Sequence, residues 1–187
     1  MKTTEDARAL ARSLVDTANA AGCPTSAVIS DMNQPLAPAL GNALEVAEAM
    51  RVLCEGAQGP LLELSVALGG VVLADAGVAS DLDDGVTRVA AAISQGKAAE
   101  IWGRMITAMG GPVQFVENWR RFLPEATVIR EVLAPTNGYV SEFDGEALGL
   151  TVVGLGGGRQ VETDLVDPSV GLSDMLPLGA PVVKGQP

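Results

Sequence analysis

The chain contains no histidine among its 187 residues, and this absence excludes several kinds of catalytic site. Ser-His-Asp and Cys-His systems need an imidazole as general base, and H-E-x-x-H zinc sites need it as a metal ligand. Any general acid or base must therefore be a carboxylate, a lysine, a tyrosine or a cysteine. The common hydrolase and metalloprotease chemistries are excluded.

Cysteine is also scarce, since only Cys23 and Cys54 occur in the chain. Their separation fits neither a C-x-x-C motif nor a disulfide framework, so we expect two small core side chains. A reducing cytoplasm is then the simplest compartment. The sequence has no run of about 18 uncharged apolar residues and no apolar signal-peptide region. Neither a membrane span nor a secretion signal is predicted.

Positive charge is in the minority, because 12 basic residues against 23 acidic ones give a net charge of -11. An acidic surface repels phosphate backbones, so nucleic acids and anionic membranes are not expected as partners. The apolar fraction of 48% excludes a disordered polar tail. The composition therefore predicts a folded chain of one or two domains.

Helical spacing of apolar residues dominates the first part of the sequence. Thr3 and Asp6 form a capping-box start for a first helix, which Gly22 ends. The segment 26–32 has a short apolar centre and predicts a buried strand. Pro60 opens a buried helix in which the pair Gly69–Gly70 indicates close packing against a neighbour.

Further helices are predicted to begin with Asn42 and with Ser80 as their N-terminal caps, and at Lys97. The last of these helices carries three large side chains on one face, which are expected in the core: Trp102, Met105 and Met109.

After Pro124 the hydrophobic period changes to that of strands. Residues 127–133 and 138–143 flank a Pro-Thr-Asn-Gly turn and are predicted to form a hairpin. The C-terminal residues 182–187 are predicted to be a strand that leaves a turn. We therefore place a domain boundary at Phe122–Pro124, which gives domains over 1–123 and 124–187.

Several motifs follow one another in a fixed order along the chain. The first joins Ser30–Leu36 to Gly41–Val46 and Glu48–Ala49, and the later ones are Gly96–Glu100, Gly138–Val140, Gly156–Arg159 and Asp167–Gly171. Together they resemble the thymidine phosphorylase and pyrimidine-nucleoside phosphorylase family. Residues 1–22 also resemble the family's helix at the equivalent point, so the resemblance covers essentially the whole chain.

The resemblance implies an enzyme that cleaves a pyrimidine (deoxy)nucleoside with phosphate, giving the free base and a sugar 1-phosphate. It implies an α/β fold: part of the phosphorylase α/β domain, with helices on a few parallel strands, followed by a β-rich C-terminal cap. Homodimers are usual in the family.

The resemblance also implies that the chain is less than half of a usual family member and begins inside the α/β domain. The family's phosphate loop, catalytic histidine and base-binding Arg, Ser and Lys would lie upstream of the point that matches Met1. We therefore expect no catalytic and no substrate-binding residue in this chain. Turnover would need the N-terminal segment or a second subunit.

A monovalent cation is the one ligand that the resemblance places here. By similarity to pyrimidine-nucleoside phosphorylase, the backbone carbonyls of Leu36 and Ala39 and the carboxylate of Glu48 match ligands of an ion such as K⁺. An irregular loop between prolines frees carbonyls, and hard cations prefer oxygen. The alternative is that Asn42 caps the helix and Glu48 lies on a solvated face.

Other polar clusters are expected to have structural roles. Asp81 and the pair Asp83–Asp84 are predicted to stabilise a helix start rather than to hold a metal. Gly154–Arg159 fits neither G-x-G-x-x-G nor a P-loop and is predicted to be a tight turn. Trp119–Phe122 is predicted to be an interdomain surface. Lys184 lies in a biotinyl/lipoyl-like signature but away from a hairpin tip, so no carrier role is predicted.

Three functions compete at this point. The first is the C-terminal part of a thymidine phosphorylase-like enzyme. The second is a non-catalytic module that binds a partner or a cation, and the third is a phosphoribosyltransferase-like member of the same fold, which the motif Asp31–Glu48 disfavours. For the first we expect an exposed apolar face where the rest of the enzyme would pack.

Overall fold

The computed structural model describes residues 3–187. Met1 and Lys2, which belong to the first predicted domain, lie outside the described residues. Within them the elements follow in this order: α1 Thr4–Ala20, α2 Asn42–Glu55, α3 Pro60–Asp75, α4 Leu82–Ser94, α5 Lys97–Ala108, α6 Phe115–Phe122, β1 Gly138–Tyr139, α7 Gly145–Val152 and β2 Pro181–Val182. A π-helical turn, Val153–Gly157, continues α7.

The ends of the helices follow local side-chain chemistry. The hydroxyl of Thr3 accepts the Asp6 N–H at 3.1 Å, and Gly22 has the left-handed φ of 81° that ends α1. Both were predicted, as was the start of α3 at Pro60. The predicted cap of α4 is off by one residue, because Asp81 rather than Ser80 accepts the first free N–H.

Helices α3 and α4 cross with their backbones in contact, and glycine permits it. A Cβ on Gly70 would lie 2.7 Å from a methyl of Val86 and 2.9 Å from its backbone nitrogen. A Cβ on Gly85 would overlap the Gly70 carbonyl oxygen. The close packing predicted from the Gly69–Gly70 pair is thus confirmed, and two backbones meet where side chains would hold them apart.

The buried core lies where α2, α5 and α6 meet. It centres on Met50, Phe115 and Trp119, with Trp102 packed against them. The prediction that Trp119–Phe122 forms an interdomain surface is wrong for Trp119, because α6 turns this ring inward while Arg120 lies over its outer face at 4.1 Å. Arg120, Arg121 and Phe122 remain exposed.

Two other core predictions are wrong. Met105 and Met109 are exposed, because α5 buries only the part of its face that meets α2 and α6. Cys23 and Cys54 are free and exposed. Cys54 lines an open cleft that it shares with Val66 of α3 and Ile93 of α4. Partial burial, with the nearby charges of two glutamates, raises the pKa of the Cys54 thiol and so keeps it protonated.

The strand predictions fail where a pairing partner is missing or different. Residues 26–32 form no strand, since the described residues offer no neighbouring strand to hydrogen-bond with them. Residues 127–133 also form none. β1 pairs in antiparallel fashion with β2 instead, with Gly138 opposite Val182 and Tyr139 opposite Pro181. The predicted hairpin is therefore wrong. Of the C-terminal strand predicted over 182–187, only Val182 is in a strand, as part of β2, which follows a turn.

The described residues are mostly helical with one small antiparallel sheet. The predicted β-rich C-terminal cap is not confirmed, because residues 124–187 contain β1, β2, α7, the π-helical turn and irregular segments. α6 ends at Phe122; the domain boundary at 123/124 stays a prediction. From residue 3 onward no single helix is long and apolar enough to cross a membrane; only α2 and α3 together reach that length, and they are bent by 75°.

The crossing of α3 and α4 yields a stability prediction. Gly85→Ala forces a methyl against the Gly70 carbonyl, so the unfolding free energy should fall by about 2 kcal/mol. Gly149→Ala is the matched control, because it lies in α7 with open space around it. There the alanine should raise stability by about 0.5–1 kcal/mol. Urea unfolding followed by circular dichroism measures both, and equal effects would contradict the close crossing.

Candidate functional site

The candidate site is built around the irregular loop 33–41, which we call the cation loop, between residues 26–32 and α2. Pro35 and Pro38 lack backbone donors, so the loop cannot form a helix or a central strand. The C-terminal half of the chain holds it instead. Leu40 and Leu172 exchange backbone hydrogen bonds of 2.9 and 2.8 Å, and the Pro38 carbonyl accepts the Met175 N–H at 3.0 Å.

A contact between two glycines continues this attachment. Gly41 has a φ of 132°, and a Cβ on it or on Gly171 would overlap backbone of the other segment. Just beyond, the Ala43 N–H donates to the Pro168 carbonyl at 2.9 Å. At the other end of the loop the Gln34 side chain accepts the Leu178 N–H at 3.0 Å. The loop is therefore held along its whole length.

Sequence reasoning missed Gln34 and Gly171 as residues that position the loop. The hydrogen-bond partner of Gln34 is 144 positions away in the sequence. Gly171 lies in a distant segment that meets the loop only in the tertiary fold. No local signal marks either role. The motifs Ser30–Leu36 and Asp167–Gly171 were each noticed, but nothing in their spacing shows that they meet.

The start of α2 differs from the prediction. Gly41, not Asn42, is the N-cap, and its own N–H donates to the Glu45 carboxylate at 3.1 Å. The Asn42 side chain instead donates to the Gly157 carbonyl at 3.3 Å, which ties α2 to the turn after α7. The Glu45 carboxylate thus accepts from the N-cap N–H, one residue beyond the N3 position of a capping box, while Asn42 joins two distant segments.

Of the three predicted cation ligands, Leu36 and Ala39 lie in the cation loop and Glu48 lies within α2. Leu36 is exposed, and Ala39 retains only 4% exposure. Among the hydrogen bonds of residues 3–187, neither the Leu36 nor the Ala39 carbonyl accepts one, so both oxygens are available. The Glu48 side chain is 13% exposed and ion-paired with Arg51, which contradicts the alternative of a solvated face.

Beside the cation loop lies a small apolar cleft of about 200 Å³. Leu36, Pro38, Phe143 and Met175 are among the residues that line it. Its walls lack the charged groups and clustered N–H donors that an anion needs. The cleft therefore suits apolar packing and not phosphate.

The acidic residues before α4 act as a helix cap. Asp81 accepts the Asp84 N–H at 2.9 Å, and Asp84 in turn accepts from the Ser80 N–H and from the Arg88 side chain at 2.8 Å. The hydrogen bond from Arg88, above all, lowers the pKa of Asp84 to about 2. Over residues 3–187 no group of three or more His, Cys, Asp or Glu side chains is arranged to hold a metal ion.

The glycine-dense run also has a structural role, as predicted. α7 passes into the π-helical turn at Val153–Gly157, and Gly156 there has a φ of 99°. Its carbonyl accepts the Asp167 N–H at 2.9 Å. At the C-terminus the Lys184 N–H donates to the Asn137 side chain at 2.8 Å, in the turn after β2.

Comparison with known proteins gives two family matches in the order of the chain. Residues 1–99 match the glycosyl transferase family, a/b domain, and residues 139–187 match the pyrimidine nucleoside phosphorylase C-terminal domain. The chain belongs to the pyrimidine nucleoside phosphorylase family. The resemblance seen in the motifs is thereby confirmed, and the chain is a member of a family of phosphorylases or glycosyltransferases.

A curated relative extends the comparison along the whole chain. A thymidine phosphorylase from Agrobacterium fabrum is 46% identical over 188 residues, which cover 100% of this chain and 43% of that protein. The chain therefore spans less than half the length of this relative. The cation loop, α2 and the C-terminal segment that holds the loop all lie within the matched region.

The cation ligands stay a prediction, which potassium titration can test. At a K⁺ concentration about ten times the dissociation constant, the unfolding free energy should rise by about 1.4 kcal/mol. Glu48→Gln removes a ligand charge and should abolish this increase. Melting curves in potassium chloride and in choline chloride at equal ionic strength measure the difference.

Arg51→Gln is the matched control. It breaks the same ion pair but leaves the Glu48 carboxylate free, so the stabilisation by K⁺ should persist or increase. If Glu48→Gln responds to K⁺ as the unchanged chain does, Glu48 is not a ligand.

Proposed function

We propose that this chain is the C-terminal part of a thymidine phosphorylase-like enzyme and works with the N-terminal part of the same α/β domain. Together they cleave a pyrimidine nucleoside with phosphate to the free base and a sugar 1-phosphate. The observation that carries this proposal is the ordered match, along one chain, of a glycosyl transferase a/b domain and a pyrimidine nucleoside phosphorylase C-terminal domain. The matched share of the thymidine phosphorylase from Agrobacterium fabrum supports it.

The chemistry explains why the partner part is needed. Phosphorolysis requires N–H groups or basic side chains that hold phosphate in line with the anomeric carbon. It also requires donors for the charge that develops on the departing base. The candidate features in residues 3–187 do neither: the glycine turn accepts a hydrogen bond from Asp167, and the cleft beside Leu36 is apolar.

In this proposal the chain contributes a framework and a cation. K⁺ held by Leu36, Ala39 and Glu48 would be completed by ligands from the N-terminal part. The helices α1 to α5 would form one layer of the α/β domain. The free cysteines suit a cytoplasmic enzyme.

The activity prediction uses thymidine as substrate. The purified chain alone should release no thymine in the presence of phosphate. When it is co-expressed with the N-terminal part of the Agrobacterium fabrum thymidine phosphorylase, phosphate-dependent thymine release should appear. Chromatography of the free base measures it.

Two controls make the result specific. Replacing phosphate with sulfate should abolish thymine release, because sulfate does not form the sugar 1-phosphate. The N-terminal part expressed alone should be inactive. Strong activity of the 187-residue chain by itself would show that the phosphate-binding and base-binding groups lie within it.

A further inference from the structure

Residues 3–32 present apolar side chains that stay exposed in the described chain. Leu10 and Leu14 of α1 are exposed, with Leu14 at 59%, and so are Val28, Ile29 and Met32, with Met32 at 88%. We call these five residues the open face. Asn19 joins its two parts, because its side chain exchanges hydrogen bonds of 3.1 and 3.0 Å with the backbone of Thr25.

The backbone of residues 26–32 also lacks hydrogen-bond partners in the described chain. Within residues 3–187 no N–H and no C=O of residues 26–32 takes part in a hydrogen bond. An apolar segment of this length with every backbone group free is what a strand looks like before its neighbours are added. The sequence predicts a buried strand over the same residues.

The exposed area of the chain indicates how much surface a partner would cover. The chain exposes 13057 Å². A compact folded protein of 19.1 kDa exposes about 8,400 Å². The excess is larger than the roughly 1,000–2,500 Å² that each partner buries in a large permanent interface. A single small contact would not account for it.

We propose that the open face is the docking surface for the strand-bearing N-terminal part of the α/β domain, and that residues 26–32 become a strand of its sheet on docking. This inference rests on the proposed function. The occupant follows from two facts: residues 1–99 match an a/b domain, and the described residues contain no parallel sheet. More than half of the Agrobacterium fabrum relative lies outside the match.

Proline substitution tests the backbone pairing directly. Val28→Pro removes an N–H that bonds to nothing in the chain alone, so the isolated chain should keep its melting temperature. In the complex the same N–H would join the sheet, and its loss should lower the recovery of this chain with a tagged N-terminal part by about tenfold on co-expression. Val132→Pro is the matched control, because Val132 is exposed and also has no bonded N–H. It should be recovered as the unchanged chain is.

Hydrogen exchange of the co-purified complex supplies the second measurement. Amides 26–32 should exchange quickly in the chain alone and become protected in the complex. Equal recovery of the Val28→Pro and Val132→Pro variants, or amides 26–32 that stay unprotected, would overturn the proposal. So would self-association of the chain that Val28→Pro abolishes, because the occupant would then be a second copy.

Thymine release from the same co-purified complex is scored separately. A complex that forms through residues 26–32 but releases no thymine supports the docking surface and contradicts the proposed function. An active complex that is insensitive to Val28→Pro supports the proposed function and contradicts the docking surface.

Discussion

The candidate site depends on a close backbone contact between two distant segments. Gly41 and Gly171 approach so closely that a Cβ on either would overlap the other segment. The reciprocal hydrogen bonds of Leu40 and Leu172 lie beside this contact. Only because both positions lack a side chain can the C-terminal segment lie against the cation loop and fix its path into α2.

This contact gives the C-terminal segment a role in the site without supplying a ligand. The carbonyls of Leu36 and Ala39 accept no hydrogen bond in the described chain because the attachments use the neighbouring groups of Gln34, Pro38 and Leu40. A loop held by another segment in this way keeps these two oxygens free. Loop rigidity of this kind favours binding of a hard cation.

The packing elsewhere is uneven. α3 and α4 meet through Gly70 and Gly85 at backbone distance, and Met50, Phe115 and Trp119 form a small buried cluster. α1 and residues 26–32, in contrast, bury little. Such a distribution of contacts is what a part of a larger α/β domain shows when the other layers of that domain are not packed against it.

The sequence by itself determined the local features: the capped start of α1 at Thr3, the start of α3 at Pro60, the glycine contact of α3, the turn at Gly156 and the family. Each depends on neighbouring residues or on ordered motifs that are visible along the chain. Tertiary structure decided which segments meet. Asn42 bonds to Gly157 instead of capping α2, and β1 pairs with β2 instead of with residues 127–133. Whether a segment forms a strand depends on the strand that pairs with it, and the path of a loop depends on the segment that it contacts. A local pattern covers only a few residues and does not include these distant partners.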